Sequence, residues 1–343
     1  MSPASDPAIP HPRETMALFG HAEAEATLLS AYRSGRVPHA WLIGGESGIG
    51  KATLAYRFAR FVLAHPDPKS PAVQNATSFD LPADHPTARR IAGRAHSDLL
   101  VLERIVNEKT GKLFTETRVE QVRESVSFFG STAGEGGWRV AIVDPIEDLN
   151  RTGINALLKV LEEPPQRALL LLGTDAPGRV LPTIRSRCRA LLLRPLPEDE
   201  VAQAVATALG EAKITDEIRA AAAASGGSVR RALMLLEDDA LELRQQMLAL
   251  LARLPDLDPR ALHALGDEIA GTDIEPLAAF MDTVNSWLGD RLRTEPQRPD
   301  RLARIADVWA SVNAAGRDTE AYNLDRKPFV FSVFGKLADA ARA

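Results

Sequence analysis

The sequence predicts an α/β domain built on a parallel sheet, followed by a chain that is helical to its last residues. Three observations support this fold class. A glycine-rich loop at 45–51 lies between an apolar run and a helical pattern. Apolar strands then alternate with amphipathic helices as far as residue 195, which is typical of a doubly wound parallel sheet. Beyond residue 197 the periodicity is helical only.

Length and composition favour two or three globular domains. The chain has 343 residues, of which 45% are hydrophobic and 25% charged, ordinary values for a globular protein. A net charge of −5 argues against a strongly basic nucleic-acid binder acting alone. The single cysteine, Cys188, excludes an internal disulfide and a multi-cysteine zinc site. No apolar stretch reaches the about 20 residues of a membrane span, so we expect a cytoplasmic protein without membrane contacts.

The first segment of the chain predicts disorder. Residues 1–17 contain four prolines and no apolar core, which makes them a disordered lead and not a signal peptide. We expect the sheet domain from residue 18 onward. Its first helix is predicted at 22–34 and its first strand at 40–43.

The loop after this strand fits a phosphate-binding loop. Gly45, Gly50 and Lys51 match the pattern G-x-x-x-x-G-K, and Gly48 lies inside it. Glycines let backbone N–H groups close round a phosphate chain, and the following helix directs its positive N-terminal end at it. The lysine reaches the outer phosphates. The loop therefore predicts that ATP or ADP binds here.

The next position departs from the pattern. A serine or threonine there ligates Mg²⁺, whereas this chain has Ala52, whose methyl group cannot. Thr53 lies one residue further and is rotated by about 100° around the helix. We count both residues among the positions next to the nucleotide, but we expect neither of them to be a good ligand for Mg²⁺.

Residues 65–97 differ in composition from the segments around them. They contain five prolines among polar residues and predict a mobile insertion or long loop. His65, His85 and His96 lie in this segment, but they lack the spacing of metal ligands and no cysteine assists them. We therefore expect no metal site.

A strand at 138–144 carries a second nucleotide signature. It is preceded by a predicted strand at 99–102, a hairpin turn at 107–111 and a helix at 119–129. An apolar strand that ends in an aspartate places Asp144 to orient Mg²⁺ or its water shell. Taken alone, such an aspartate is more often a helix cap or turn residue. Together with the phosphate loop, the nucleotide role of Asp144 is favoured.

The position after Asp144 matters most for mechanism. Nucleotide-hydrolysing proteins with such a phosphate loop have a glutamate there that polarises the attacking water, whereas this chain has Pro145. Glu147 and Asp148 are better explained as solvated acids at a helix start. The magnesium-binding hydroxyl and the catalytic carboxylate are therefore missing together.

The remaining segments complete the sheet and then turn helical. A helix at 155–165 precedes a strand at 168–172, which leads to Thr174 at the nucleotide edge, and a further strand is predicted at 190–193. Helices are expected at 198–209, 214–224, 228–237, 241–253, 274–294, 300–315 and 328–341.

Five separated motifs resemble bacterial clamp-loader subunits of the AAA+ class and occur in that family's order over most of 18–240. They are the phosphate loop and the segments 36–40, 117–123, 155–165 and 186–188. The resemblance implies an AAA+ domain over 18–196, a small helical lid domain over 197–240 and an oligomerising collar domain over 241–343.

The resemblance also implies roles for two arginines. Arg187 would be an arginine finger that acts in trans on the γ-phosphate held by a neighbouring subunit, because a guanidinium is always charged and forks onto phosphate oxygens. The alternative places it with Arg179, Arg185 and Arg189 on a solvated surface. Arg230 matches a second sensor arginine that faces the nucleotide from the lid, or else it is an exposed residue at a helix N-terminus.

The departures from the family pattern favour a subunit with little hydrolysis of its own. Gamma and tau relatives usually keep an intact phosphate loop and an acidic pair, and clamp loaders commonly keep a zinc-binding cysteine cluster; this chain has none of these. We expect weak or vestigial ATP or ADP binding and no structural zinc.

The implied partners are gamma/tau and delta subunits of the DNA polymerase III holoenzyme in the bacterial cytoplasm. That assembly loads the sliding clamp on primer–template DNA. Two other functions stay open: an active ATPase subunit of the gamma/tau kind, and a free-standing nucleotide-binding switch, which lacks an evident effector surface.

Overall fold

The computed structural model describes residues 10–103, 128–129, 137–236, 240–271, 274–294, 299–322 and 324–342. The chain forms two compact units, Met1–Leu233 and Met234–Ala343. The hairpin turn expected at 107–111 and nearly all of the helix expected at 119–129 lie outside the described residues. The predicted boundary between the sheet domain and the lid domain, at residues 196 and 197, falls inside the first unit and stays a prediction.

A five-stranded parallel sheet forms the centre of the first unit. Its strands lie in the order β2-β3-β4-β1-β5, and every neighbouring pair is parallel. Every residue of β1, β3 and β4 is buried, which explains why these strands are continuous apolar runs in the sequence. The strands are β1 Ala40–Gly44, β2 Leu99–Leu102, β3 Arg139–Val143, β4 Ala168–Thr174 and β5 Arg189–Leu192.

Helices connect and cover these strands, so the predicted α/β class is confirmed. Two short 3₁₀ helices, Ile146–Asp148 and Pro177–Arg179, follow β3 and β4. The α-helices of this unit are α1 Ala22–Arg33, α2 Lys51–Ala64, α3 Pro71–Asn75, α4 Pro86–Ala92, α5 Arg151–Glu162, α6 Pro182–Arg185, α7 Glu198–Leu209, α8 Asp216–Ala224 and α9 Val229–Leu235, of which the last two residues of α9 fall in the second unit.

The sheet register brings the nucleotide signatures to one edge. Gly44 at the end of β1 is paired with Thr174 at the end of β4, and Val143 of β3 is paired with Leu172. The residues that follow the strands therefore leave the sheet side by side. In parallel α/β sheets this carboxyl edge is where ligands bind.

The segment 65–97 is structured, contrary to the mobile loop that its prolines suggested. It contains α3 and α4, and Phe79 between them is buried and lies 5.0 Å from the ring of Phe58. Two of the prolines, Pro71 and Pro86, begin these helices. Proline is favoured at the first helical position because its φ is already helical and no N–H is needed there.

Residues 10–17 also differ from the predicted disorder. They lie against α2, whose Arg57 and Arg60 are 5% and 1% exposed. Arg60 donates to the Thr15 carbonyl oxygen at 2.7 Å, and Arg57 donates to that of Met16. Buried guanidinium groups need acceptors, and the backbone of this segment supplies them.

The second unit consists of helices around an apolar core. Its helices are α10 Ala240–Ala252, α11 Pro259–Ile269, α12 Ile274–Thr294, α13 Pro299–Ala321 and α14 Arg326–Arg342. Met247, Phe280 and Phe334 are among the fully buried residues at its centre. The sequence analysis missed α11, although Asp258 caps its N-terminus and Pro259 begins it.

The described helices show no apolar stretch long enough to cross a bilayer. Among all the residues that the structure describes, histidine, cysteine and carboxylate side chains form no group of three suited to a metal ion.

Candidate functional site

The phosphate loop lies between β1 and α2, as the sequence predicts. Gly48 has φ +76°, and Gly50, the residue before α2, has φ +106°. Residues other than glycine rarely adopt these backbone conformations. A side chain at Gly48 would also meet Ser228 Oγ at 2.4 Å. The glycines therefore provide both the turn and the room for a neighbouring helix.

Lys51 is held by acceptors of its own chain. The residue is 5% exposed, and its Nζ donates to the carbonyl oxygens of Gly45 at 2.8 Å and Glu46 at 2.6 Å. A carboxylate oxygen of Asp175 lies 2.6 Å from the same Nζ. The ammonium group that would reach the outer phosphates is thus already neutralised by a carboxylate.

Asp175 is a site residue that the sequence analysis missed. It directly follows Thr174 at the end of β4, and this position at the carboxyl edge of a central strand could have indicated it. Its carboxylate is 44% exposed, whereas its partner Lys51 is buried. The Asp175 carboxylate therefore stays open to solvent while it pairs with the buried ammonium group.

Asp144 lies at the same edge, directly after β3, as predicted. Burial raises the pKa of its carboxyl to about 6, and the nearby ammonium of Lys51 opposes this shift. The carboxylates of Asp175 and Glu103 raise the pKa further. Gly173 leaves the necessary space, because a side chain there would come within 2.3 Å of an Asp144 oxygen.

The two positions that lack a magnesium ligand and a catalytic base lie directly beside Lys51 and Asp144. Ala52 is the second residue of α2, next to Lys51, and Thr53 follows it. Pro145 comes directly after Asp144 and precedes a 3₁₀ helix. Neither Ala52 nor Pro145 can ligate Mg²⁺ or act as a base.

Glu147 takes part in the site in a way that the sequence did not indicate. The buried Thr174 donates its hydroxyl hydrogen to the Glu147 carboxylate, and the Ala176 N–H donates to the same oxygen at 3.2 Å. Glu147 is exposed and lies in the first turn of the 3₁₀ helix after β3, which agrees with the expected solvated acid at a helix start. Its carboxylate also fixes Thr174, the residue predicted to face the nucleotide.

The start of α9 contacts the phosphate loop directly. Ser228 is buried and donates its hydroxyl hydrogen to the Ser47 carbonyl oxygen at 2.9 Å. The backbone N–H of Arg230 donates to the Gly48 carbonyl oxygen at 3.3 Å. The Arg230 side chain is exposed, so in this structure its backbone, and not its guanidinium, contacts the loop.

His21 supports the loop from the other side. Its Nε2 lies 2.7 Å from the Ile49 carbonyl oxygen. Burial lowers the pKa of its imidazole, although the bond to Ile49 and the charge of Glu200 oppose this. A neutral imidazole with hydrogen on Nε2 satisfies this geometry as the donor. A lone histidine before a helix gave no signal for this role.

Arg187 lies just after α6 and is held by two acceptors. Its Nη1 donates to the Thr183 carbonyl oxygen at 2.8 Å, and its Nη2 lies 2.9 Å from a carboxylate oxygen of Glu162. Its side chain is 36% exposed. Arg189 is different, because its guanidinium lies 5.1 Å from the Trp41 ring centre.

The single cysteine is unreactive in this setting. Burial raises the pKa of the Cys188 thiol to about 11, so at neutral pH it carries no thiolate to act as a nucleophile.

Comparison with known proteins identifies the family to which the chain belongs. The family described as DNA polymerase III, delta subunit, matches residues 20–197. A DNA polymerase III subunit delta' of Pseudomonas aeruginosa is 39% identical over 150 residues, 44% of this chain and 41% of that protein. The Escherichia coli subunit delta' is 30% identical over 284 residues, 82% of this chain and 80% of that protein.

A gamma subunit is also similar. That of Buchnera aphidicola is 30% identical over 64% of this chain and 57% of its own length. The matched regions thus span about half the length of the P. aeruginosa and Buchnera proteins.

Solved structures resemble the chain more weakly. A gamma-subunit-related protein of Thermotoga maritima is 15% identical, covers 92% of this chain and all of its own, and has a TM-score of 0.44. A TM-score this low supports no argument about function.

Proposed function

Because the chain belongs to the DNA polymerase III, delta subunit family and its relatives are clamp-loader subunits, we propose that it is a delta-prime-type AAA+ subunit that hydrolyses little or no ATP itself. In the assembled clamp loader it holds neighbouring subunits in place and presents Arg187 to one of them. Its partners are gamma/tau and delta subunits in the bacterial cytoplasm.

One observation supports the loss of hydrolysis above all. Lys51 is neutralised by Asp175 and bonded to two loop carbonyl groups, in a site where Ala52 and Pro145 replace the magnesium ligand and the base. Phosphoryl transfer is accelerated mainly by positioned charges on the phosphates. A site with its lysine engaged and two of these groups missing stabilises the transition state poorly.

The same contacts support weak nucleotide binding. The phosphates of ATP or ADP must displace Asp175 from Lys51, whose Nζ also donates to the carbonyl oxygens of Gly45 and Glu46. Each displaced contact lowers the net affinity. Binding depends little on Mg²⁺, because Ala52 supplies no ligand.

The finger role of Arg187 rests on its chemistry and position. Its guanidinium is half-buried and fixed by Thr183 and Glu162, so the fork is ordered before a partner arrives. An ordered, permanently charged guanidinium suits recognition of a γ-phosphate on an adjacent subunit. The adjacent subunit then performs the hydrolysis that loads the sliding clamp on primer–template DNA.

The alternative is an active ATPase subunit, which the similarity to gamma subunits favours. ATP turnover by the isolated, full-length chain separates the two functions. We expect negligible Mg²⁺-dependent hydrolysis, because removal of such transition-state groups costs several powers of ten in rate. Turnover near ~1 s⁻¹ that Lys51→Ala abolishes would establish the active subunit instead.

A further inference from the structure

The outer edge of β5 carries backbone groups that have no strand to pair with. β5 lies at one end of the sheet, and β1 is its only neighbouring strand among the described residues. The N–H of Leu193, directly after β5, donates to the Gly44 carbonyl oxygen at 2.8 Å. Because backbone groups along a strand point alternately to its two sides, the N–H and C=O groups of Ala190 and Leu192 point away from β1. No turn, loop or cap bond between described residues uses these groups.

The side chains at this edge are accessible. Leu192 is 66% exposed, which few large hydrophobic side chains in the described part of the chain are, and Ala190 is exposed as well. Arg189 is also exposed and lies on the opposite face of the strand from Leu192, because side chains alternate between the two faces. A segment that lies along this edge therefore meets an apolar side chain on one face and a cation on the other.

The chain around this edge is strongly basic. Residues 179–194 contain five arginines and no acidic residue, although the whole chain has a net charge of −5. Within the described residues only one of the five, Arg187, pairs with a carboxylate. Arg185, Arg189 and Arg194 are exposed without such a partner there. The surface thus attracts acidic groups and repels basic ones.

The charge and the backbone groups together select the kind of partner. Arginines beside a strand edge can serve to prevent pairing between copies of the same chain, and two β5 edges brought together would repel each other. The same charges favour an acidic segment. Nucleic acid would also neutralise the arginines, but its phosphates accept hydrogen bonds and donate none, so the carbonyl oxygens of Ala190 and Leu192 would stay unpaired.

We propose that the β5 edge, defined by the outward backbone groups of Ala190 and Leu192, binds an extended acidic segment of a partner protein as an added strand. Backbone hydrogen bonds supply the affinity of such strand addition, and alternate side chains supply its selectivity. The fitting segment alternates carboxylates, which face Arg189, with apolar residues, which face Leu192. This surface does not depend on nucleotide binding or on the role proposed for Arg187.

The probe is a fluorescein-labelled peptide of about eight alternating glutamate and valine residues, titrated with the full-length chain at low salt while fluorescence anisotropy is measured. We expect a dissociation constant of about 50 μM that rises with salt, because exposed charges are screened. A peptide with glutamine in place of every glutamate should bind about tenfold more weakly. Absence of binding would overturn the proposal and leave the arginines as a shield of the edge. Equal binding by the glutamine peptide would overturn the acidic partner.

Two methylated peptides test the backbone hydrogen bonds without changing the protein. Methyl groups on the amide nitrogens of all glutamates block one side of the added strand, and methyl groups on those of all valines block the other side. One of the two peptides should bind about tenfold more weakly than the parent peptide, and the other should bind as the parent does, because only one side faces β5. Equal affinity of the two methylated peptides would show that charge alone holds the probe, which would overturn strand addition.

A variant of the chain tests the same hydrogen bonds from the other side. Ala190→Pro removes one outward N–H of the β5 edge, at a position where proline leaves the bonds to β1 in place, and should weaken binding about fivefold. Ala190→Val, which keeps the N–H, is the matched control and should bind as the unmodified chain does. Unchanged binding by Ala190→Pro would contradict the edge as the binding surface. A single-stranded thymidine oligonucleotide of the same length is the competitor. If it displaces the probe at lower concentrations than unlabelled peptide does, the arginines belong to a nucleic-acid site and the proposal is overturned.

Discussion

The ammonium group of Lys51 lies 2.6 Å from a carboxylate oxygen of Asp175, so the lysine of the phosphate loop is paired within its own chain. The two side chains come from different parts of the sheet edge: Lys51 begins α2, and Asp175 follows β4. A nucleotide would have to break this pair and approach a carboxylate. The first prediction tests that cost.

Asp175→Asn should tighten nucleotide binding. It removes the anion that neutralises Lys51 and repels the phosphates, so we expect the dissociation constant for ATP to fall by about three- to tenfold. Isothermal titration with ATP, with and without Mg²⁺, measures the change. Asp84→Asn, at an exposed position, is the control. Unchanged or weaker binding by Asp175→Asn would mean that the pair does not obstruct the site.

Stability should fall as the pH rises through the pKa of Asp144. The folded protein raises this pKa from 3.8 to about 6, so between these values the folded state binds more protons than the unfolded state. The contribution of Asp144 to the free energy of unfolding is therefore largest below its unfolded pKa of 3.8, and it is lost above about pH 6. Asp144→Asn should be more stable than the unmodified chain at pH 7.5, by about 1–3 kcal/mol.

Urea unfolding at pH 5 and pH 7.5 checks this sign. The advantage of Asp144→Asn over the unmodified chain should be larger at pH 7.5 than at pH 5, whereas Asp84→Asn should show no such difference. A variant that loses stability at pH 7.5 would show that the ionised Asp144 is stabilised by Lys51 more than burial destabilises it.

Arg187→Ala should leave the chain folded and able to join its partners, and its effect should emerge only in the assembled complex. There we expect lower ATPase activity and slower clamp loading. A finger is worth roughly 10³–10⁵ in rate at the one site it serves, and the total falls less because several sites act together. Arg187→Lys should not restore the activity, because an ammonium lacks the planar fork.

The structure selects the control for this experiment. Arg185 is exposed, so Arg185→Ala tests a surface arginine of the same segment. Arg189 is less suitable, because it packs on Trp41 and its removal also alters the sheet edge. Complexes with Arg187→Ala that load clamps at the unmodified rate would exclude the finger.

Glu162→Gln should weaken the same activity by a smaller amount. The Glu162 carboxylate lies 2.9 Å from Arg187 Nη2 and limits where the guanidinium points. Because this carboxylate is 52% exposed, the pair is worth little by itself, and we expect kcat of the complex to fall by about two- to fivefold with KM unchanged. The neighbouring Glu163→Gln is the matched control. An increased rate would indicate that Glu162 restrains the finger and does not position it.

Much of the fold follows from local patterns in the sequence. The buried strands β1, β3 and β4 are continuous apolar runs, and the glycine pattern before Lys51 identifies the phosphate loop. The substitutions Ala52 and Pro145 are also plain in the sequence, since a methyl group and a proline ring have no ligand or base to offer wherever they lie.

Prolines were the main source of error in local prediction. In 65–97 they suggested a loop, yet Pro71 and Pro86 begin helices because their capping residues, Ser70 and His85, precede them. A proline stops a helix or starts one according to which side the helical residues lie on, and short helices give too little periodicity to decide.

The sequence by itself determined which chemical groups the site contains: a phosphate loop, Lys51 and Asp144, without a magnesium hydroxyl or a catalytic base. Only the tertiary structure decided how they are paired. Asp175 meets Lys51, and Ser228 meets the loop from 181 positions away in the chain. Such contacts arise from strand register and helix packing, which bring together residues that have no relation in sequence, so no local pattern records them.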